Sequence, residues 1–113
     1  VESLVDREDK YRRKAAFQVF FYSYLFLKKY PGTYDIIEPG LFNSKDLFGK
    51  DFEWRIFDKT SKTSVTEFRQ YLPEFELGLT NLLTEMYDPD IPFNQTEDLK
   101  KCGYCAYKEI CGR

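Results

Sequence analysis

The sequence contains no histidine, and this absence excludes several kinds of site. A zinc site built from Cys and His cannot be completed by this chain, and neither a Ser-His nor a Cys-His catalytic pair can form. The chain also lacks a net positive charge, because 17 Lys and Arg face 19 Asp and Glu for a formal charge of -2. A global attraction to nucleic acid is therefore excluded, and a polyanion would need a local basic patch.

No apolar run is long enough to cross a bilayer. The longest, residues 15–27 (AAFQVFFYSYLFL), is well short of the ~20 residues that a membrane span requires. The sequence has no secretory signal pattern and no low-complexity tract, so we expect a cytoplasmic protein without a membrane partner. Aromatic residues are abundant at 19%, and most of them are expected in one modest core, since 113 residues suffice for a single domain.

Residues 15–27 predict the helix around which the rest of the chain is organised. Because this helix is apolar on every side, we expect it to be buried all round and to end near Lys29 or Tyr30, before Pro31-Gly32. Gln18 and Tyr22 are four residues apart, which places their polar groups on one face, one turn apart. They are either buried groups with internal hydrogen-bond partners or a functional pair.

A basic run, Lys10-Tyr11-Arg12-Arg13-Lys14, precedes the central helix, and Asp6 is the expected N-cap. Such a run is usually a solvated helix face. The functional alternative is a patch in which Lys10, Arg12, Arg13 and Lys14 contact the phosphates of a nucleic acid.

Two strands and a second helix are predicted after the central helix. Residues 34–42 read as a strand bent at Pro39-Gly40, and residues 52–57 alternate apolar and charged side chains as a half-buried strand does. The second helix should present one apolar stripe, formed by Phe68, Leu72, Phe75, Leu79, Leu82 and Met86. Pro73 should kink this helix or start it afresh, leaving residues 66–72 as a separate turn.

These elements do not make a convincing closed domain. Two strands are a marginal sheet, and an apolar helix needs more cover than one helix and a hairpin provide. We expect residues 1–113 to be a single partial domain that belongs to a larger one or buries its surplus surface in a homodimer. Residues 99–113 form a cysteine-rich tail.

All three cysteines lie in this tail, with the spacing Cys102-x2-Cys105-x5-Cys111. Clustered thiols in a cytoplasmic chain favour metal ligation over disulfide bonding. A zinc ion with one outside ligand, or simple thiols, remain alternatives.

Two motifs occur in the same order as in one known family. They are Gln18-x3-Tyr22 on a helix and the three-cysteine motif, with a Pro-Gly strand, an amphipathic helix and Pro92-Phe93 between them. In this order the sequence resembles the C-terminal part of PD-(D/E)XK nucleases of the RecB type, in the iron-sulfur branch. That branch includes the B subunit of AddAB-type helicase-nucleases and the CRISPR-adaptation exonucleases.

The resemblance implies the α/β fold class, here an α+β fragment equal to the C-terminal half of a restriction-endonuclease-like core. Its order would be helix, strand, strand, helix and cysteine-bearing tail. In the family the metal-binding Asp and the Glu-x-Lys motif lie on strands before the Gln-Tyr helix. Only residues 1–14 precede that helix here, so we expect the catalytic strands to lie outside this sequence and this fragment to be inactive alone.

The resemblance also implies cofactors and partners. The parent would be an exodeoxyribonuclease of DNA repair and recombination that uses Mg2+ or Mn2+ and works with a helicase-nuclease partner subunit. Gln18 and Tyr22 would support its active site, and Cys102, Cys105 and Cys111 would ligate a 4Fe-4S cluster with a fourth, upstream cysteine. The alternatives are a non-catalytic interaction module with a structural zinc, or a parent that has lost its catalytic residues and acts as a scaffold.

Overall fold

The computed structural model describes residues 14–112 and contains three α-helices and one 3-10 helix within that range. The α-helices are α1 (Lys14–Lys29), α2 (Leu72–Tyr87) and α3 (Leu99–Cys102), and the 3-10 helix is Phe68–Tyr71. Asp6, the predicted N-cap of α1, lies outside the described residues. None of the helices found between residues 14 and 112 has the length and apolar character needed to cross a membrane.

Helix α1 confirms the predicted central helix and its end. The last helical bond runs from the Tyr30 N–H to the Phe26 carbonyl at 2.9 Å, and Gly32 then takes the left-handed conformation with φ of +72°. The expectation that this helix is buried all round is wrong. Phe20 and Ser23 are buried, whereas Tyr22 is 58% exposed, because only one face of α1 packs against the 3-10 helix and α2.

A cluster of aromatic rings forms the core between α1 and the second half of the chain. Phe68 and Phe75 are fully buried, and Phe20 meets them edge-on with ring centroids 5.2 and 5.9 Å away. Val65 completes the buried set. Edge-to-face pairs at these distances are favourable beyond the area they bury, so this cluster fixes how α1 crosses α2.

Pro73 starts the second helix afresh, as predicted. The 3-10 helix ends at Tyr71 and α2 begins at Leu72 with the proline in its first turn, where a missing N–H costs nothing. The predicted stripe is buried at Phe75 and half-buried at Leu79. Met86 at its end is 50% exposed, which contradicts that part of the prediction, because the core packs no further along α2 than Leu79.

The two predicted strands meet at one isolated bridge, and a second bridge joins the later strand to the segment that follows it. Arg55 pairs with Gly40 and Phe57 pairs with Ser64, both antiparallel, and no continuous strand occurs in the part of the chain that is described. Residues 52–56 nevertheless alternate half-buried and exposed side chains, as their period predicts. The helix-strand-strand-helix arrangement therefore stays a prediction.

Candidate functional site

The side chains of Gln18 and Tyr22 are brought together on the exposed face of α1. The amide Nε2 of Gln18 donates a hydrogen bond to the Tyr22 hydroxyl at 2.9 Å, and both residues are exposed. The four-residue spacing causes this contact, since residues one turn apart lie on one face. The alternative that both groups are buried and satisfied inside the core is wrong.

The pair keeps most of its hydrogen-bonding capacity for a ligand. The bond to Tyr22 uses one amide hydrogen of Gln18 and accepts on one lone pair of the hydroxyl. The amide oxygen, the second amide hydrogen and the hydroxyl proton make no hydrogen bond to a described side chain, so they are available to a ligand. An amide and a hydroxyl can together orient a carboxylate, a water or a phosphate oxygen.

Of the basic run before α1, the structure describes the last residue alone. Lys14 is the first residue of α1 and is exposed, one turn before Gln18. Lys10, Arg12 and Arg13 lie outside the described residues. The structure thus places one of the four predicted phosphate-binding cations on the same helix face as the Gln18–Tyr22 pair.

The three cysteines lie on a short helix and the turns that follow it. Asp98 caps α3 by accepting a hydrogen bond from the Lys100 N–H at 3.2 Å, and the Cys105 N–H donates to the Cys102 carbonyl at 3.1 Å. Gln95 Nε2 donates to the Cys111 carbonyl at 3.1 Å, which ties the end of the tail to the loop before α3. Cys102 is half-buried, and Cys105 and Cys111 are exposed.

The tail has the right donor atoms for a thiolate-bound metal but does not assemble them. Three thiols suit iron-sulfur clusters and zinc by chemistry. Within residues 14–112, however, no group of three or more His, Cys, Asp or Glu side chains is arranged to hold a metal ion. A cluster would therefore require the tail to rearrange around it.

Two charged residues outside the predicted site, Arg69 and Asp58, hold the loops in place. Arg69 donates from its guanidinium to the carbonyls of Tyr34 and Asp35, and it lies 3.4 Å from the Glu67 carboxylate. Asp58 accepts from the Thr60 N–H at 2.7 Å and from the Tyr71 hydroxyl at 3.3 Å. The role of Arg69 has no local sequence signal, because the carbonyls it binds are more than 30 residues away. The contact of Asp58 with Thr60 is local, since Asp commonly accepts from the backbone two residues on in a turn.

The hydrogen bonds of Asp58 also set its protonation. The Thr60 N–H, with smaller contributions from the Ser61 N–H and the Tyr71 hydroxyl, lowers the pKa of the Asp58 carboxyl against the opposing effect of burial. Burial raises the pKa of Tyr71, and the negative charge of Asp58 adds to that increase. Asp58 is thus an ionised acceptor and Tyr71 a protonated donor. Their hydrogen bond joins the loop at Asp58 to the 3-10 helix, which is a structural role.

Comparison with known protein families decides the identity of the chain. The sequence model of the PD-(D/E)XK nuclease superfamily matches residues 3–112. The chain belongs to this superfamily. No curated protein and no solved structure was found to match it.

Two segments of this chain can be compared with the Glu-x-Lys motif of the superfamily. Glu53-Trp54-Arg55 resembles it only loosely: the Glu53 carboxylate accepts from the Arg55 N–H at 2.9 Å, and both charges point outward. Glu8-Asp9-Lys10 fits the pattern and ends eight residues before Gln18, outside the described residues. Its neighbours Asp6 and Arg7 are charged, unlike the apolar flanks of a buried strand.

Proposed function

We propose that this chain is the C-terminal part of a RecB-type, iron-sulfur exodeoxyribonuclease domain that acts in DNA repair and recombination. The superfamily match supports nuclease chemistry in general. The order of the Gln-Tyr helix, the second helix and the three-cysteine tail supports this particular branch. The proposed setting is the cytoplasm, with DNA as substrate and a helicase-nuclease subunit as partner.

The observation that carries the proposal is the exposed Gln18–Tyr22 hydrogen bond. An amide that is bonded to a hydroxyl on the outer face of an apolar helix contributes little to the core. It is, however, held ready to contact a second group. We assign the pair to the edge of the nuclease site, where it orients either a metal-binding carboxylate or the scissile strand.

The metal chemistry would be supplied by residues that precede this helix in the family. Two carboxylates there would hold Mg2+ or Mn2+, and the bound ion would supply polarisation of the phosphodiester and a lower pKa of the attacking water. From this chain, the hydrogen bond to Tyr22 fixes the orientation of the Gln18 amide. Lys14, exposed one turn earlier, adds a positive charge for the phosphate backbone.

The three cysteines are proposed as ligands of a 4Fe-4S cluster that joins the tail to an upstream cysteine. The thiols are accessible enough to reach a cluster, since two are exposed and the third is half-buried. Apart from half-buried Cys102, the residues of α3 and of its following turns are exposed, so a rearrangement would disturb little packing. Metal binding commonly supplies the folding energy of such segments.

A nuclease assay tests whether the catalytic residues lie outside residues 1–113. Residues 1–113 alone are expected to leave linear DNA intact with Mg2+ or Mn2+, whereas a longer protein that includes the family's preceding strands should degrade it. As a control, Glu8→Gln should change neither result. Metal-dependent degradation by residues 1–113 that is lost in Glu8→Gln would overturn the proposal and move the carboxylate motif to Glu8-Asp9-Lys10.

Metal analysis separates the proposed cluster from the zinc alternative. The longer protein, purified without oxygen, should contain iron and absorb broadly near ~400 nm, as thiolate-bound clusters do. Replacing Cys105 by Ser should remove most of the iron. Zinc in place of iron would favour the interaction module with a structural zinc, whereas a cluster that survives this substitution would show that Cys105 is not one of its ligands.

A further inference from the structure

Three aromatic side chains form an exposed cluster beyond Tyr22. The ring centroid of Phe26 lies 5.0 Å from that of Tyr30 and 5.3 Å from that of Tyr34, and the two tyrosines are 6.5 Å apart. Phe26 and Tyr30 are each 39% exposed and Tyr34 is 50% exposed. We call Phe26, Tyr30 and Tyr34 the aromatic platform.

The aromatic platform continues the face that carries the proposed site. Gln18, Tyr22, Phe26 and Tyr30 follow one another at intervals of four residues, so each lies ~6 Å further along the helix axis. The stripe leads from the hydrogen-bonded pair, over Phe26, to the end of α1. A polymer that is held at Gln18 and Tyr22 and follows the helix would meet these rings next.

The backbone holds the aromatic platform in shape without any ligand. Tyr30 is the last residue bonded to the helix, and the left-handed Gly32 turns the chain back so that Tyr34 contacts Phe26. Arg69 donates to the carbonyl of Tyr34 from the far side of the loop. Because the rings are already ordered, binding a ligand would not carry the entropic cost of ordering them.

Charge around the platform favours a polyanion. Residues 10–34 contain no Asp or Glu, although the whole chain has 19 of them. The part of this stretch that the structure describes, residues 14–34, contains three cations: Lys14, Lys28 and Lys29. The Lys29 ammonium lies 5.3 Å from the ring centre of Tyr30, while Lys28 is paired with Glu76 at 2.8 Å. Lys29 is thus positioned beside the rings to meet a phosphate.

We propose that the aromatic platform binds single-stranded DNA by stacking its bases on Phe26, Tyr30 and Tyr34. This inference rests on the proposed nuclease function, because it takes the strand at Gln18 and Tyr22 as its starting point. Aromatic rings beside cations are the common means of holding single strands without sequence preference. In a duplex the faces of the bases are covered by their neighbours, so the platform selects a frayed or single-stranded end.

Binding in the absence of metal tests the inference separately from nuclease activity. The probe is fluorescein-labelled oligo(dT) of about 20 nucleotides, which spans one binding site, and the readout is anisotropy in EDTA with the full-length protein. The double variant Tyr30→Leu/Tyr34→Leu should weaken binding roughly tenfold or more. Tyr87→Leu is the matched control, since Tyr87 is 81% exposed on α2, and it should bind as the wild type does. Circular dichroism checks that each variant is folded.

The contribution of Lys29 has its own measurement. In Lys29→Gln, the slope of log K against log salt should fall by ~0.7, the value for one phosphate contact to a single strand. Lys59→Gln, in an exposed turn, should leave the slope unchanged.

Each outcome decides between the two proposals. Equal affinity of the double variant and the wild type, or tighter binding of duplex than of oligo(dT), would overturn the aromatic platform and leave the nuclease proposal standing. Tight binding that depends on the platform, in a protein that cleaves no DNA with Mg2+ or Mn2+, would overturn the nuclease proposal alone. Absence of any binding to oligo(dT) would also overturn the platform.

Discussion

The side-chain amide of Gln18 donates to the hydroxyl of Tyr22 across one turn of α1, 2.9 Å away and in contact with solvent. One turn further on, Phe26 begins the aromatic platform, while Phe20 on the opposite face is buried in the core. Helix α1 therefore has two different faces although its sequence is apolar nearly throughout. One face holds the fold together, and the other carries the groups that we assign to DNA.

Replacing Tyr22 by Phe tests whether the pair acts in catalysis. The change removes the hydroxyl that Gln18 contacts and keeps the ring, so on this exposed face the free energy of unfolding should change by less than about 0.5 kcal/mol. The rate of DNA cleavage by the full-length protein should fall about 10- to 100-fold, the usual cost of losing the position of a reacting group. Tyr87→Phe should change neither quantity. A wild-type rate in Tyr22→Phe would show that the hydroxyl is dispensable.

Phe75 is the side chain on which the packing of α1 against α2 depends. Its ring lies 5.8 Å from Phe17 and 5.9 Å from both Phe20 and Phe68. Phe75→Ala should cost about 3–5 kcal/mol, because the cavity it leaves is walled by rigid rings. Leu77→Ala, 63% exposed on the same helix, should cost well under half as much. Urea denaturation followed by circular dichroism measures both, and similar costs would contradict the proposed core.

Gly40 is required by the close approach of Trp54. A Cβ at this position would lie 2.7 Å from Cε3 of the Trp54 ring, and the ring is itself stacked on Phe42 at 5.8 Å. Gly40→Ala should therefore displace the indole and destabilise the chain by about 1–3 kcal/mol. The emission maximum of the single tryptophan should move to longer wavelength. Gly103→Ala, whose Cβ would be 3.4 Å from its nearest neighbour, is the control and should leave the emission maximum unchanged.

Asp58 should make stability depend on pH in the acid range. Its pKa is lowered from the ordinary value of 3.8, chiefly by the Thr60 N–H, so the folded state favours the ionised form. This stabilisation is present above the ordinary pKa and is lost as the pH falls through the lower folded value. Wild type should therefore be more stable than Asp58→Asn at about pH 6, and the difference should shrink below about pH 4.

Urea midpoints at several pH values measure this difference. Leu77→Ala, which removes no titratable group, is the control, and its difference from the wild type should not depend on pH in this way. A difference between wild type and Asp58→Asn that stays constant down to about pH 2.5 would contradict the assigned role.

The sequence by itself determined the features that depend on neighbours within one or two turns. The spacing of Gln18 and Tyr22 fixed their contact, Pro73 fixed the start of α2 next to a separate turn, and alternation in residues 52–56 fixed which side chains are more exposed. In each case backbone periodicity or a missing N–H acts locally, so no tertiary information is needed. The order of the motifs also pointed to the nuclease superfamily that matches residues 3–112.

Only the tertiary structure decided which faces are covered. Every turn of α1 offers apolar side chains, and the buried face is the one that meets Phe68 and Phe75, about 50 residues away in sequence. The same distance in sequence hides the roles of Arg69, which binds the carbonyls of Tyr34 and Asp35. Burial depends on what packs against a surface, and a residue's own periodicity does not contain that partner. For this reason the sequence predicted α1 but not its two faces.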